Sequence, residues 1–591
     1  MSKEAFVNVE PVTPLVEAVE TAVVDALRRA LPETGGPEPL VRRSDRADYQ
    51  ANGALPLAKR HGRNPRELGE AVAAAIDAPD LIATAEASGP GFVNIAITSE
   101  AVWKQVAARL DADRLGVGLP LAGERIVVDY SGPNVAKEMH VGHLRTTIIG
   151  DALARLAEAL GATVIRQNHL GDWGTQFGML IQYLSEHPEA EWHRADEADP
   201  TANVAVLDRL YREARAVFDA DPAFKERARA RVVALQGGDE DSRRVWGDLV
   251  DVSAAAFDAI YERLGVGLTA ADLAGESTYN HLLDGVVAEL VEAGIAVESE
   301  GALCVFFEDV TGPDGEPVPL LLRKADGGYG YAATDLAAIR HRIGDLKADR
   351  ILYVVDARQA LHFKQVFATA RRAGWLSGDV EAVHVPFGTV LGPDGRPYKT
   401  RSGGTVRLMG LIDEAIAKAG AVIAEKHPAG EDLAELAAAT GIGAVKYADL
   451  SNNRIKDYVF DSDKMVALTG DTGVYLQYAH TRLASILRKA GAMTAPMAPA
   501  APMSREERAL ALHLDAYGAV LAEAMAEREP HRLCGYLYAL ARAFTGFYEA
   551  NPVLKAESDE ARDNRLALVR LARETLAHGL GLLGIAAPDR M

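Results

Sequence analysis

His140-Val141-Gly142-His143 holds the residues of this chain best placed to do chemistry. The apolar run Ile126-Val127-Val128 precedes it, and the spacing of apolar residues predicts a helix from about Leu144. Strand, histidine turn and helix in that order bring two imidazoles beside the free N–H groups of a helix N-terminus, which favours anions. His140 and His143 can both donate hydrogen bonds to a phosphate chain, and Gly142 leaves room for a base or backbone to approach. The plainer alternative is two surface histidines at a helix start. Lys137, in the polar loop Ser131 to Lys137, adds a cation three residues before His140. Far downstream, Lys399-Thr400-Arg401-Ser402-Gly403-Gly404 is a cationic, glycine-rich segment able to close over a triphosphate, or else a solvated basic hairpin. With Leu170-Gly171-Asp172-Trp173-Gly174, these segments read as an ATP-handling nucleotidyl-transfer site; Trp173 itself reads as core packing.

The elements that must position these groups are legible as a βαβ unit. Ile126 to Tyr130 has the pattern of a buried strand, and Ile149, Leu153, Leu156 and Leu160 recur at helical spacing with Gly161 as the stop. Thr163-Val164-Ile165 follows as the second strand. Such units build parallel sheets with helices on both faces, and ligands bind at the carboxyl ends of the strands. Ile351 to Val355 and Val383 to Leu391 read as later strands. Between the halves lies a charged stretch, helical over Asp208 to Val233 and Arg243 to Leu264, read as an insertion at about 185–290. Residues 1–105 have the pattern of a small α/β domain, with helices over Leu15 to Leu31 and Pro65 to Ile76 and a strand after Gly89-Pro90-Gly91. After about Leu408 the chain reads as helices, with an irregular linker at Thr494 to Pro502 and a capping box at Ser504 to Glu507.

The chain has 591 residues, enough for three or more domains. It carries 84 acidic and 63 basic residues, a net charge of −21. That balance speaks against a wholly basic nucleic-acid-binding surface but permits a local basic track. No apolar run of membrane-spanning length and no signal-peptide core are apparent, and the expected location is cytoplasmic. Two distant cysteines, Cys304 and Cys534, suggest neither a disulfide framework nor a zinc site.

The longer strings resemble the class I aminoacyl-tRNA synthetases, and among them the arginyl-tRNA synthetase family. The resemblance rests on Tyr130 through HVGHLRTTIIGD to NHLGDWGTQFGM, on Tyr331-Ala332-Ala333-Thr334-Asp335, on Tyr353 to Gln359 and on KTRSGGTVRL. Gly441 to Tyr447, Tyr475 to Arg482, the terminal Arg590-Met591 and Asp48 to Asn52 extend it over nearly the whole chain. It implies a multidomain α/β protein. An N-terminal domain at 1–105 would touch the tRNA elbow. A Rossmann-type catalytic domain would occupy 120–408, followed by a helical stem-contact region at 409–470. An all-helical anticodon-binding domain would fill 471–591. The implied reaction joins L-arginine to ATP as arginyl-adenylate, releases pyrophosphate and transfers the arginyl group to tRNA(Arg), with Mg2+ accompanying ATP and the enzyme a monomer.

By the same resemblance, ATP meets His140, Gly142, His143, Lys399, Arg401 and Ser402, with catalysis carried by His140, His143, Lys137 and Lys399. Tyr331, Asp335 and Gln359 line the arginine side-chain pocket, Asn134 and His143 sit near the α-amino and carboxylate groups, and Asp129 adds a carboxylate. Asp335 can also be read as a helix cap, and Gln359 as a solvated amide. Interleaved aromatic and basic residues in the C-terminal third suit unpaired bases. Candidates for tRNA contact are Gln50, Asn52, Tyr475, Gln477, Tyr478 and Arg482, each of which can equally be a packing residue. One departure stands out. The family's class usually carries a second lysine in the signature loop, where this chain has Ser402, so Lys137, then Arg401, then Arg407 are candidate replacements. The same deficit offers a reason for the family's need of bound tRNA before activation. Other readings are a class I synthetase for a different amino acid and a nucleotidyltransferase without tRNA.

Overall fold

The computed structural model describes residues 11–190, 192, 199–308, 310, 318–325, 327–398, 406–426, 433–491 and 497–591. Its centre is a four-stranded, fully parallel sheet in the order Glu381–His384, Arg350–Tyr353, Arg125–Asp129, Thr163–Gln167. Ile126, Val127, Val128, Ile351 and Leu352 are wholly buried because both faces are covered, which explains their unbroken apolar runs. Ile126, Val128 and Leu352 share a core with Leu144 and Ile148 of the helix Val141–Ala159. Val127, Ile351 and Tyr353 pack on the other side with Leu336, Phe363 and Val366, from the helices Tyr331–Gly344 and Ala360–Arg372. The first strand lies centrally and the chain leaves it to either side, so Asp129, Gln167 and Tyr353 end side by side at the mouth of the crevice.

Three expectations need correction. The helix after the histidine turn starts at Val141, with His140 as its cap, three residues before the expected Leu144. Val383 to Leu391 is not one strand: Glu381–His384 stays in the parallel sheet, while Val390–Leu391 pairs with Tyr458–Val459. Pro386 between them has no N–H for a ladder, and a Cβ on Gly388 would meet Asp457 Oδ1 at 2.6 Å, so the chain must bend there. The stretch expected as one helix over Asp208 to Val233 is two, Pro200–Ala220 and Pro222–Gly237, because Asp221 accepts from Ala223 N at 2.8 Å and Pro222 opens a new first turn. A small antiparallel sheet of Val297–Ser299, Ala302–Val305 and Leu320–Arg323 follows the long helix Glu240–Leu264 and was not anticipated.

The N-terminal part pairs a four-stranded antiparallel sheet with the helices Leu15–Ala30 and Pro65–Ala75. Its strand Phe92–Ile97 alternates, with Val93, Ile95 and Ile97 buried. The C-terminal part stacks the helices Gly473–Ala490, Arg505–Asp515, Tyr517–Ala526, Pro530–Ala550 and Asp559–Leu582. Ser504 and Glu507 form the expected reciprocal cap, at 3.1 and 2.7 Å. Arg505–Ala526 is apolar enough by composition to cross a membrane, yet half of it is buried inside the protein, with Leu510, Leu514, Tyr517 and Leu521 in the core.

The two ends of the chain meet through charge. Arg109, on the helix Ser99–Asp111, reaches Asp515 at 2.7 Å, and both side chains are 3% exposed. The Asp515 carboxylate also accepts from Leu15 N and Gln105 Nε2, at 2.8 and 2.7 Å. Arg508 adds contacts to Asp48, Ile97 O and Ser99 Oγ. Asp515→Ala leaves a buried guanidinium without its counter-charge, though still bonded to the Leu115 and Asp515 carbonyls, and a buried N–H without its acceptor, and should lower the unfolding free energy in urea by about 3–5 kcal/mol. The double change Arg109→Met, Asp515→Leu should recover most of that loss; an undiminished loss would mean that the charges matter less than the shape.

Candidate active site

The histidine turn is a reciprocal cap. His140 Nδ1 accepts from Gly142 N at 3.0 Å, and His143 Nδ1 accepts from His140 N at 3.0 Å. The rings lie 4.0 Å apart at 39°. A neutral imidazole that accepts at Nδ1 must carry its proton on Nε2, so both rings offer Nε2–H donors. Burial, then Arg358 and Lys137, depress the basicity of His140. Burial and His140 push His143 down to about 3. Gly142 is exposed, and a Cβ there would lie 2.7 Å from His140 Cε1, so the room it leaves is for the neighbouring ring.

Lys399, Arg401 and Ser402 lie outside the described residues, but the flanks of their segment do not. Upstream, Tyr398 stacks on Phe460 at 5.7 Å and donates its N–H to Val390 O. Downstream, Val141 N donates to Val406 O, and Leu408 N to Met139 O. The downstream flank, at Val406 and Leu408, is therefore anchored beside the histidine turn. Arg407 pairs with Glu138 at 2.9 Å. Lys137 is half-buried, with Nζ 4.3 Å from the centre of the Tyr211 ring. Arg358, not considered from sequence as a phosphate-side cation, acts on His140 and pairs with Asp356 at 2.7 Å.

The other side of the crevice is acidic. Asp129 is buried against Arg342 at 2.8 Å, so its charge is matched within the protein. Asp335 is inside the helix Tyr331–Gly344, not at its cap, and lies 2.5 Å from His362 Nε2. Tyr331 opens that helix with 75% exposure. Gln359 and Asn134 are exposed, the latter bridged through its backbone to Gly171. Glu276 joins this group and was missed in the sequence, where it fell inside the assigned insertion. Burial, then Asp172, then Asp335 push its carboxyl up to about 8. Asp172 is buried and accepts from Ser277 N and Oγ at 2.9 and 2.6 Å. A Cβ on Gly275 would sit 2.2 Å from Asp172 Oδ2; a Gly-Glu pair in a non-helical gap was the available signal. A carboxyl raised by burial and by two neighbouring carboxylates suits an incoming cation.

Trp173 is half-buried and edge-on to Trp246 at 5.7 Å. Among the tRNA candidates, Gln50 is buried, donating to Asn94 Oδ1 and accepting from Arg42. Gln477 is wholly buried, donating to Ala439 O and Ala586 O. Asn52 is half-buried and donates its N–H to Leu40 O. Tyr475 is edge-on to Tyr538, and Arg482 lies over Tyr548 at 4.7 Å. Tyr478 is 45% exposed, beside a cavity of about 330 Å³ lined with Thr440, Val474 and Met591.

Because folded His143 titrates near 3 and a free histidine near 6.5, unfolded chains take up a proton that the folded site refuses as pH falls below about 6.5. Its stabilising contribution is thus present above that pH and is lost toward about 3. Ring 15N spectra should show His143 as the neutral Nε2–H form from pH 8 to pH 5. Imidazolium shifts at pH 6 would rule out the neutral-donor geometry.

Known proteins bear on this arrangement. The family model for the class I (R) tRNA synthetase catalytic domain matches residues 107–462, the DALR anticodon binding domain 476–591, and the arginyl tRNA synthetase N-terminal domain 17–97. The arginine–tRNA ligase of Frankia casuarinae is 62% identical, over 98% of this chain and 100% of its own. That of Streptomyces avermitilis is 52% identical over the same shares. Arginyl-tRNA synthetases from Plasmodium falciparum and Thermus thermophilus superpose with TM-scores of 0.80 and 0.79 at 28% and 27% identity, each over 98% of this chain and 100% of the other. With family models, sequence identity and fold matched over nearly its full length, the chain belongs to the arginyl-tRNA synthetases of class I.

Proposed function

We infer that the protein ligates L-arginine to its tRNA by way of arginyl-adenylate, with release of pyrophosphate and AMP. The observation that carries this reading is the division of one crevice into an anion side and a cation side. Two neutral imidazole donors stand at a helix N-terminus on one side, and Glu276, Asp172 and Asp335 gather on the other. In-line attack of the arginine carboxylate on the α-phosphate needs little from the protein except placement and charge. His140 and His143 hold the phosphate oxygens through Nε2–H as negative charge shifts to pyrophosphate, and a neutral donor does so without a proton to lose. Lys137 and Lys399 supply positive charge, with Arg401 and Ser402 on the same loop. Arg358, which faces His140, is a further candidate beside Arg401 and Arg407 for the missing second lysine. Mg2+ accompanying ATP would offset phosphate charge.

Tyr331, Asp335 and Gln359 take the guanidinium together with Glu276, which supplies a carboxylate in place of Asp129. Asn134 and His143 serve the α-amino and carboxylate end. We assign residues 1–105 to the tRNA elbow, 120–408 to catalysis with the insertion at about 185–290, 409–470 to the acceptor stem side and 471–591 to the anticodon. Tyr478 is the leading RNA contact of the six candidates, because it is the most exposed of them, at 45%. The working form is taken as a cytoplasmic monomer, for which light scattering should give one chain mass of 63.1 kDa.

Amino-acid choice tests the pocket. In aminoacylation of total tRNA with each amino acid in turn, arginine should be charged and lysine rejected by far more than tenfold, since a lysine ammonium leaves fork-shaped acceptors unmet. Near-equal use of lysine would sink the assignment. Arginine binding at pH 7 should also release a proton, because Glu276 must ionise to meet the guanidinium; affinity rises with pH up to about 8 and then levels. Calorimetry in buffers of different ionisation enthalpy reads this, and Glu276→Gln should abolish it.

Lys137→Ala should slow arginine-dependent pyrophosphate exchange, assayed with tRNA present, by at least tenfold, about 1.4 kcal/mol. A neutral result would transfer the role to Arg358 or Arg401, whose alanine variants are the next to measure.

A further inference from the structure

The loop between the first strand and the histidine turn is strained. Ser131, Gly132 and Ala136 all have positive φ, at 74°, 53° and 61°, and two of the three have side chains that disfavour it. Such a backbone persists only where its surroundings hold it. Here part of that hold comes from the insertion, through one face of the helix Glu240–Leu264. Trp246 Nε1 donates to Asp172 O at 2.7 Å, and Ser253 Oγ accepts from Ala136 N at 2.9 Å. The Tyr261 hydroxyl lies 2.7 Å from Ser131 Oγ and 2.9 Å from Asn168 Nδ2. Residues 246, 253 and 261 are seven and eight apart, close to two helical turns each.

Counting protons gives this network a direction. Asn168 Nδ2 can only donate, so the Tyr261 oxygen accepts from it and sends its own proton to Ser131 Oγ. Thr147 Oγ1 lies 2.7 Å from His143 O and 3.0 Å from Ser131 Oγ. A carbonyl only accepts, so the Thr147 proton goes there and the Ser131 proton goes to Thr147. The chain runs Asn168, Tyr261, Ser131, Thr147, His143 carbonyl, and its side chains are at most 4% exposed. Asn168 Oδ1 meanwhile accepts from Gly132 N at 3.0 Å.

We propose that Tyr261 is a positioning residue for adenylate formation: its hydroxyl locks the strained 131–136 loop to the histidine turn, making the helical insertion a working part of the active site. This rests on the reading of the site given above. The hydroxyl touches no substrate; it sets where Asn134, Lys137 and His143 present themselves.

Tyr261→Phe keeps the ring and removes the hydroxyl. Arginine-dependent pyrophosphate exchange with tRNA present, normalised to titrated active sites, should fall at least tenfold, while tRNA affinity stays within about twofold. Ser131→Ala should do the same, and the double variant should be no slower than the slower single one, since both break one chain. Tyr183→Phe is the control: that hydroxyl also lies in this region, 3.2 Å from Glu213, but away from the loop, and its rate per site should be unchanged. A wild-type rate per site in Tyr261→Phe, with only fewer active sites, would make the hydroxyl a stability element and overturn the proposal. Additive losses in the double variant would overturn it too. Wild-type protein that shows no exchange with arginine would instead remove the underlying reading, and the proposal with it.

Discussion

Arg145 and Asp449 form an ion pair at 3.2 Å, with exposures of 1% and 0%, and most of the catalytic architecture hangs on where it holds the helix Val141–Ala159. A guanidinium so deep needs its partner and several acceptors. Arg145 finds Asp449 on the helix Leu433–Leu450, the carbonyl of Lys456, and the ring of Tyr458 at 5.1 Å. Tyr458 belongs to the strand that pairs with Val390–Leu391, from which the Lys399 segment departs. One side chain therefore registers the histidine turn, the helical region and the strand that leads to Lys399 against each other. Lower down the same helix, Asp151 Oδ1 accepts from Gly267 N and so ties down the chain just after the helix Glu240–Leu264.

Charges are handled in two ways around the crevice. Asp129 with Arg342, and Asp449 with Arg145, are matched pairs that spend their charge on structure. Asp335 with His362 and Asp172 with Ser277 are partnered too, whereas the Glu276 carboxyl is pushed up by burial and by both of these neighbours. The histidines avoid the issue by being neutral. This separates residues that look alike in a sequence: of four acidic side chains around the crevice, Asp129 is held by a buried arginine, while Glu276 keeps a carboxyl raised by burial and its neighbours.

The βαβ unit was legible because its strands are buried on both faces and its helix has apolar period 3.6. The helix start was misplaced because apolar spacing begins at Leu144, while the cap is formed by histidines, which seldom do this work. Glu276 was invisible because tertiary pairing, Ala274 N with Asn168 O and Glu276 N with Leu170 O, carries it to the sheet mouth. Gln50 and Gln477 resembled RNA-facing amides; their acceptors lie 44, 38 and 109 residues away, beyond any local pattern. The strands of Val297 to Arg323 are three or four residues long, too short for alternation to register. The family strings named the reaction; they did not tell a partner from a ligand.

The pair Arg109–Asp515 spans 406 residues of chain. At a synthesis rate of about 5–20 residues per second, Arg109 emerges roughly 20–80 s before its partner exists. Through that interval the N-terminal sheet must stand on its own core, with a guanidinium in water that the finished protein hides. The closing of the two ends is thus a late event in the life of each molecule, and the newborn chain passes through an open form in which a charge later hidden is still wet.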